Sequence, residues 1–198
     1  VTTVPSTRLL RLPRTAVWFC LLASAAAAPA DLLALTLKEL TDTPGLNAKK
    51  FASRFAGFAY EFNSAIQPAE VFLAREKGDC DDYAVLADFV LRQKGFGTRL
   101  IHVRLAGRIA HAVCYVSENK AYLDYNNRNV FFTLTRSGAD LRDIAAKVAA
   151  SLEANWTSAS EFSYSYATRR KTMIATVSQT GEHGGDVTPG SSSAFHVD

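Results

Sequence analysis

Between Thr98 and Thr135 the chain runs through four short segments rich in β-branched and aromatic side chains: Thr98 to Leu105, Ile109 to Val116, Ala121 to Tyr125 and Val130 to Thr135. Ala106-Gly107, Ser117-Glu118-Asn119-Lys120 and Asn126-Asn127 separate them, so the stretch reads as an antiparallel meander. What precedes it is helical in pattern. Asp31 to Leu40 is leucine-rich and ends at the turn Thr41-Asp42-Thr43-Pro44-Gly45. Phe51, Phe55, Phe58, Ala59 and Phe62 recur at spacings of three and four, which predicts a helix from about Asn47 to Asn63 with an aromatic packing face. Gln67-Pro68-Ala69-Glu70 opens a short helix, and Asp79 caps a longer one that runs to Lys94 before Gly95. Leu141 to Ala154 adds an amphipathic helix, and Phe162, Tyr164 and Tyr166 alternate with serines in a last strand. Helices first and a sheet after them is the α+β class.

The ends differ from this middle. Arg8, Arg11 and Arg14 precede an apolar run from Ala16 to Ala28 that closes in Ala28-Pro29-Ala30, the pattern of a secretory signal peptide cut near Ala30. That run is shorter than the roughly 20 residues a membrane span requires, so an exported protein of the periplasm or extracellular space, without a stable membrane anchor, is expected. The chain's 22 Lys+Arg against 19 Asp+Glu become equal once those three arginines are removed, since residues 1–30 carry no acidic side chain. A neutral mature chain gives no electrostatic reason to expect nucleic acid as a partner. The segmentation is therefore a signal peptide over 1–30, an N-terminal helical segment over 31–46 and one domain over 47–170. A Gly- and Ser-rich tail over 171–198 is expected to be disordered.

The chemistry gathers at Gly78-Asp79-Cys80-Asp81-Asp82-Tyr83-Ala84. Asp79 at the N-cap with Asp82 three residues on forms a capping-box pattern, which puts Cys80 in the first helical turn. There the helix dipole and unpaired N–H groups favour a thiolate, while the three neighbouring aspartates oppose it, so a histidine partner is required. On the same helix Cys80, Tyr83, Ala84, Ala87 and Leu91 share the core-facing stripe. His183 and His196 fall in the tail, leaving His102 and His111. A hairpin with Ser117 opposite Lys120 sets His111 opposite Asn126 and diagonal to Asp124, within reach of an imidazole–carboxylate contact. The same alternation puts Ile109, Val113 and Tyr115 beside His111 on an apolar face expected to pack on the Cys80 helix. His102, between Ile101 and Val103, is expected to face outward and is the spare base only if that hairpin register fails. Cys80, His111 and Asp124 thus form a nucleophile, a base and an orienting carboxylate.

Gly78 to Ala84, His111-Ala112-Val113 and Leu123-Asp124, over roughly Ala48 to Leu134, resemble the transglutaminase-like superfamily and especially its bacterial cysteine proteinase branch. The resemblance implies a papain-like core in which a helix presents the cysteine to an antiparallel sheet. It also implies the order Cys, His, Asp, with Cys80 as nucleophile, His111 as general base and Asp124 orienting it. The implied activity is hydrolysis of a peptide, isopeptide or other amide bond in a protein or peptide substrate; transamidation to an amine, or a non-catalytic binding module on the same fold, are the alternatives. Tyr60, Asn63 and Gln67 are alternative side chains for the oxyanion, beside the backbone N–H of Cys80. No cofactor is expected, although some periplasmic relatives bind calcium near the cysteine, which makes Asp79, Asp81 and Asp82 candidate ligands.

Cys114 lies on the strand face opposite His111 and reads as a small core residue, so a disulfide to Cys80 conflicts with the facings. Zinc has no paired ligand spacing to bind. Tyr60, Tyr83, Tyr115, Tyr122 and Tyr125 are candidates to line a cleft, with Tyr83 and Tyr115 assigned to the core.

Overall fold

A computed structural model describes residues 35–126 and 129–179. The expected leader and residues 180–198 of the expected tail lie outside them. Helices α1 (Leu37–Asp42), α2 (Ala48–Ser53) and α3 (Ala69–Arg75) precede the long α4 (Cys80–Gln93), with two short strands, β1 (Ala59–Tyr60) and β2 (Lys77–Gly78), among them. Strands β3 (Thr98–Leu105), β4 (His111–Val116), β5 (Ala121–Asn126) and β6 (Asn129–Arg136) follow, then α5 (Leu141–Ser151), β7 (Trp156–Ser165) and β8 (Arg170–Ser178). The sheet order is β6-β5-β4-β3-β7-β8, antiparallel throughout.

The sheet carries packed helices on both faces. Leu100, Ala112, Cys114, Val116, Leu123, Tyr125 and Phe162 pack with α4 and an aromatic cluster of Phe51, Phe55, Phe58 and Phe72. Ile101, Val103, Val113, Tyr115, Tyr122 and Ala159 pack with Leu141, Ile144 and Val148 of α5. Every residue of β4 and β5 is accordingly buried, because period-two alternation sends successive side chains into two different cores.

The strand β4–β5 register is the expected one: Cys114 lies opposite Leu123, Tyr115 opposite Tyr122 and Val116 opposite Ala121. Several expectations are corrected. Of the first helix, expected over Asp31 to Leu40, residues 31–34 lie outside the described residues, and the described part turns helical at Leu37, where Thr36 and Glu39 form a capping box. The second ends at Ser53, not near Asn63, because the chain must run extended at Ala59 and Tyr60 to pair in parallel with Lys77 and Gly78. Phe51, Phe55 and Phe58 remain buried, contacts that a helix followed by tight turns supplies as well as a continuous helix does, while Phe62 is exposed. Val113 and Tyr115 face α5 and Ile109 is exposed, so the face expected against the Cys80 helix is instead built from Ala112, Cys114 and Val116. The first part of the expected tail is β8, paired with β7 from Ser158–Ser178 to Ser165–Arg170. No helix among the described residues is long and apolar enough to cross a membrane.

Candidate active site

Cys80 is the first residue of α4, and the way that helix starts fixes its position. Asp79 accepts the N–H groups of Asp81 and Asp82 at 3.1 and 3.4 Å, and its other oxygen accepts the Asn63 N–H at 2.9 Å. Asp82 returns the cap by accepting the Asp79 N–H at 3.1 Å. It also accepts the backbone N–H of Gln67 at 2.7 Å and the Gln67 and Asn63 side-chain amides at 2.8 and 3.4 Å. Two aspartates thus tie the 61–67 loop to the helix start. Gln67 is further held by Arg75 at 2.8 Å and by the Lys77 carbonyl at 3.0 Å. The cap uses the N–H groups of Asp81 and Asp82 and leaves that of Cys80 available, as expected for a first-turn donor.

His111 opens β4 opposite Val103 and is 5% exposed. Its Nε2 lies 2.6 Å from Asp124 Oδ1, and Asp124 is 3% exposed. With Nε2 engaged, Nδ1 is the ring atom left for the thiol. A register shift in β5 between Asp124 and Asn126 sits beside this contact, the kind of irregularity that re-aims a side chain near a site. Burial disfavours a charged imidazole here, but the charge and hydrogen bond of Cys80 and those of Asp124 outweigh it and push His111 up to about 10.

The three side chains proposed for the oxyanion separate clearly. Asn63 and Gln67 are spent on the α4 cap. Tyr60 is half-buried, stacks on Tyr125 with centroids 6.4 Å apart, and lies near enough to Cys80 for that thiol's charge, after burial, to raise its own pKa. Beneath it Tyr125 stacks on Tyr83 at 3.4 Å, and their hydroxyls donate to the carbonyls of Phe58 and Ala59. Tyr83, Tyr115, Tyr122 and Tyr125 are all core residues, which leaves Tyr60 of the five at the site.

Cys80 and Cys114 are free thiols, and burial pushes the Cys114 thiol up. His102 does not face outward. It lies opposite Ala112 on the α4 side, edge-on to Phe162 at 6.3 Å, and burial followed by the charge of Lys171 lowers it to about 4. Of the calcium candidates, Asp79, Cys80 and Asp81 converge, yet both oxygens of Asp79 and of Asp82 already accept protein N–H groups. Calcium takes six or more oxygen ligands, whereas the groups that converge here are two carboxylates and a sulfur, and the open oxygen of Asp81 already faces the Lys171 ammonium at 3.6 Å, so this donor set does not fit it.

Lys171 is the site residue that sequence reasoning missed. Its Nζ lies 3.6 Å from Asp81 Oδ1 and 4.0 Å from the centroid of the Phe162 ring. The run Thr172-Met173-Ile174-Ala175-Thr176-Val177 carried a strand signal. It was masked by the Gly- and Ser-rich composition that follows.

Among known families, the transglutaminase-like superfamily matches residues 36–155, more than half the chain. No curated protein matches. Among solved structures, EGTA-treated LapG of Legionella pneumophila is similar at 18% identity and a TM-score of 0.41, over 62% of this chain and 66% of that one. A second LapG structure gives the same identity and score and is covered to 68%. A candidate cysteine protease from Cytophaga hutchinsonii is similar at 17% identity and a TM-score of 0.30, over 70% of this chain and 45% of that one. The chain thus spans about two thirds of LapG and under half of the Cytophaga protein.

Proposed function

The chain belongs to the transglutaminase-like superfamily, and from that premise we propose that it is a cysteine hydrolase of peptide, isopeptide or other amide bonds, acting through Cys80, His111 and Asp124. The observation that carries the reading is the buried 2.6 Å contact between His111 and Asp124, on a ring whose charged form the neighbouring Cys80 also favours.

The Cys80 thiolate attacks the amide carbonyl carbon, and the oxyanion that forms is met by the Cys80 backbone N–H and the Tyr60 hydroxyl. His111 gives its proton to the leaving amine as the carbon–nitrogen bond breaks, producing an acyl-enzyme. Water then attacks that thioester, His111 takes its proton, and the acid leaves as the thiolate returns. Asp124 holds Nε2 and stabilises the imidazolium throughout. No step draws on a metal. The leader-like stretch before Ala30 supports action outside the cytoplasm.

Cys80→Ala tests the assignment. The variant should keep the wild-type circular dichroism and melting temperature while losing at least about 10³-fold of its amide hydrolysis, assayed on a peptide library by mass spectrometry. Full activity in Cys80→Ala would overturn the mechanism. An amine-containing product from the wild type would reassign it to transamidation.

A further inference from the structure

The cap and first turn of α4 surround Cys80 with three carboxylates, and two of them are accounted for: both oxygens of Asp79 and of Asp82 accept N–H groups of the cap and the 61–67 loop. Asp81 is different. It follows the cysteine directly, its side chain is 28% exposed, and its buried Oδ1 makes no hydrogen bond among the described residues. The charged group facing that oxygen is the Lys171 ammonium at 3.6 Å. Lys171 comes from the edge strand β8, opposite Tyr164, and is braced from the other side by the Phe162 ring at 4.0 Å. A cation held between a carboxylate and an aromatic face is fixed by charge on one side and by the ring quadrupole on the other.

A like charge beside a thiolate disfavours it, and a cation on that charge offsets the effect. We propose that Lys171 is a positioning residue of the active site, delivered by the C-terminal strand to neutralise Asp81 and so preserve the Cys80 thiolate. The proposal rests on the reading of Cys80 as the nucleophile. Tyr60 from β1 and His111 from β4 interact with the thiol, Asp79 and Asp82 flank it at the cap and in the first turn of α4, His102 from β3 feels Asp81 and Lys171, and Asp124 from β5 pairs with His111. Lys171 acts against one of these carboxylates without touching the reacting atoms. Lys171 sits on the edge strand β8, and methionine and arginine both keep a long aliphatic stem against the Phe162 ring, so its variants should fold.

The test is the rate of iodoacetamide alkylation at Cys80, located by mass spectrometry, from pH 4 to 10 in the full chain. Four proteins are compared: wild type, Lys171→Met, Lys171→Arg, and Lys171→Met combined with Asp81→Asn. Lys171→Met should move the half-maximal pH upward by roughly half a unit, about threefold in rate on the rising limb. Lys171→Arg should hold the wild-type profile, and the double variant should return to it, because the charge that needed neutralising is gone. A Lys171→Met profile that superimposes on wild type, or a double variant that stays displaced, overturns the proposal while the nucleophile stands. Wild-type Cys80 that alkylates no faster than a free thiol overturns the nucleophile and this role with it.

Discussion

Burial alone would keep the His111 ring neutral, and its chemistry turns on what outweighs that penalty. The charge and hydrogen bond of Cys80 and those of Asp124 raise it to about 10, so the imidazolium persists through neutral pH and is lost only as pH rises through that value. The active form in the proposed mechanism is the thiolate–imidazolium pair, whose titration belongs to the pair rather than to either group. The alkaline limb of kcat/KM should therefore fall near pH 10; a fall centred on the ordinary histidine value of about 6.5 would mean that the pair does not form. Tyr60→Phe removes the hydroxyl proposed as an oxyanion donor and should lower kcat by roughly 10²-fold with little change in KM. Equal kcat in the two proteins would leave the Cys80 N–H as the donor at work. That Cys80 opens α4 and that His111 meets Asp124 was legible from a cap motif and a hairpin register, both of which are backbone facts. The choice among Tyr60, Asn63 and Gln67 was not, because it depends on which side chains the α4 cap consumes.

The cap itself is an element-scale device, since it joins α4, the β1–β2 pair and the 61–67 loop at one point. Gly78 ends β2 where these meet, and a Cβ there would lie 2.6 Å from Asp82 Oδ2 and 2.7 Å from the Phe72 ring. Neither neighbour is a flexible chain end: the carboxylate is fixed by its N–H donors, and the ring belongs to a packed aromatic cluster. Gly78→Ala should therefore destabilise the protein by roughly 1–3 kcal/mol through overpacking, read as a lower urea midpoint at unchanged slope. It should also slow Cys80 alkylation, because Asp82 sets the start of the helix. Stability and alkylation both at wild-type level would show that the junction has room to give. Helix α4 was legible to within a residue at its N-terminus because its cap is written in Asp79 and Asp82. The end of α2 was not, because a periodic aromatic run does not reveal that the following residues pair with β2.

Across the whole molecule, a sheet covered on both faces removes the meaning that alternation has in a half-exposed sheet, and this is why His102 was misread. Apolar Ile101 and Val103 face α5, yet the opposite face is a second, α4-covered interior at whose margin His102 is half-buried against Phe162. A histidine placed there is held neutral, by burial first and then by Lys171, at about 4. The sign of its effect on stability follows from linkage. As pH falls below the unfolded value of about 6.5, the unfolded chain takes the proton before the folded one does. The stability that His102 contributes above pH 6.5 is thus lost progressively down to about 4. Asp79, raised to about 6 by burial against its hydrogen bonds, and Asp82, also raised, act in the opposite sense over an overlapping range, since the folded state protonates first. The wild-type curve mixes these contributions, so the difference between two proteins carries the prediction. His102→Gln, which cannot titrate, should lose less melting temperature between pH 7 and 4.5 than the wild type does. If the two proteins lose the same amount, His102 takes its proton at the same pH folded and unfolded, and the second interior at that position admits water.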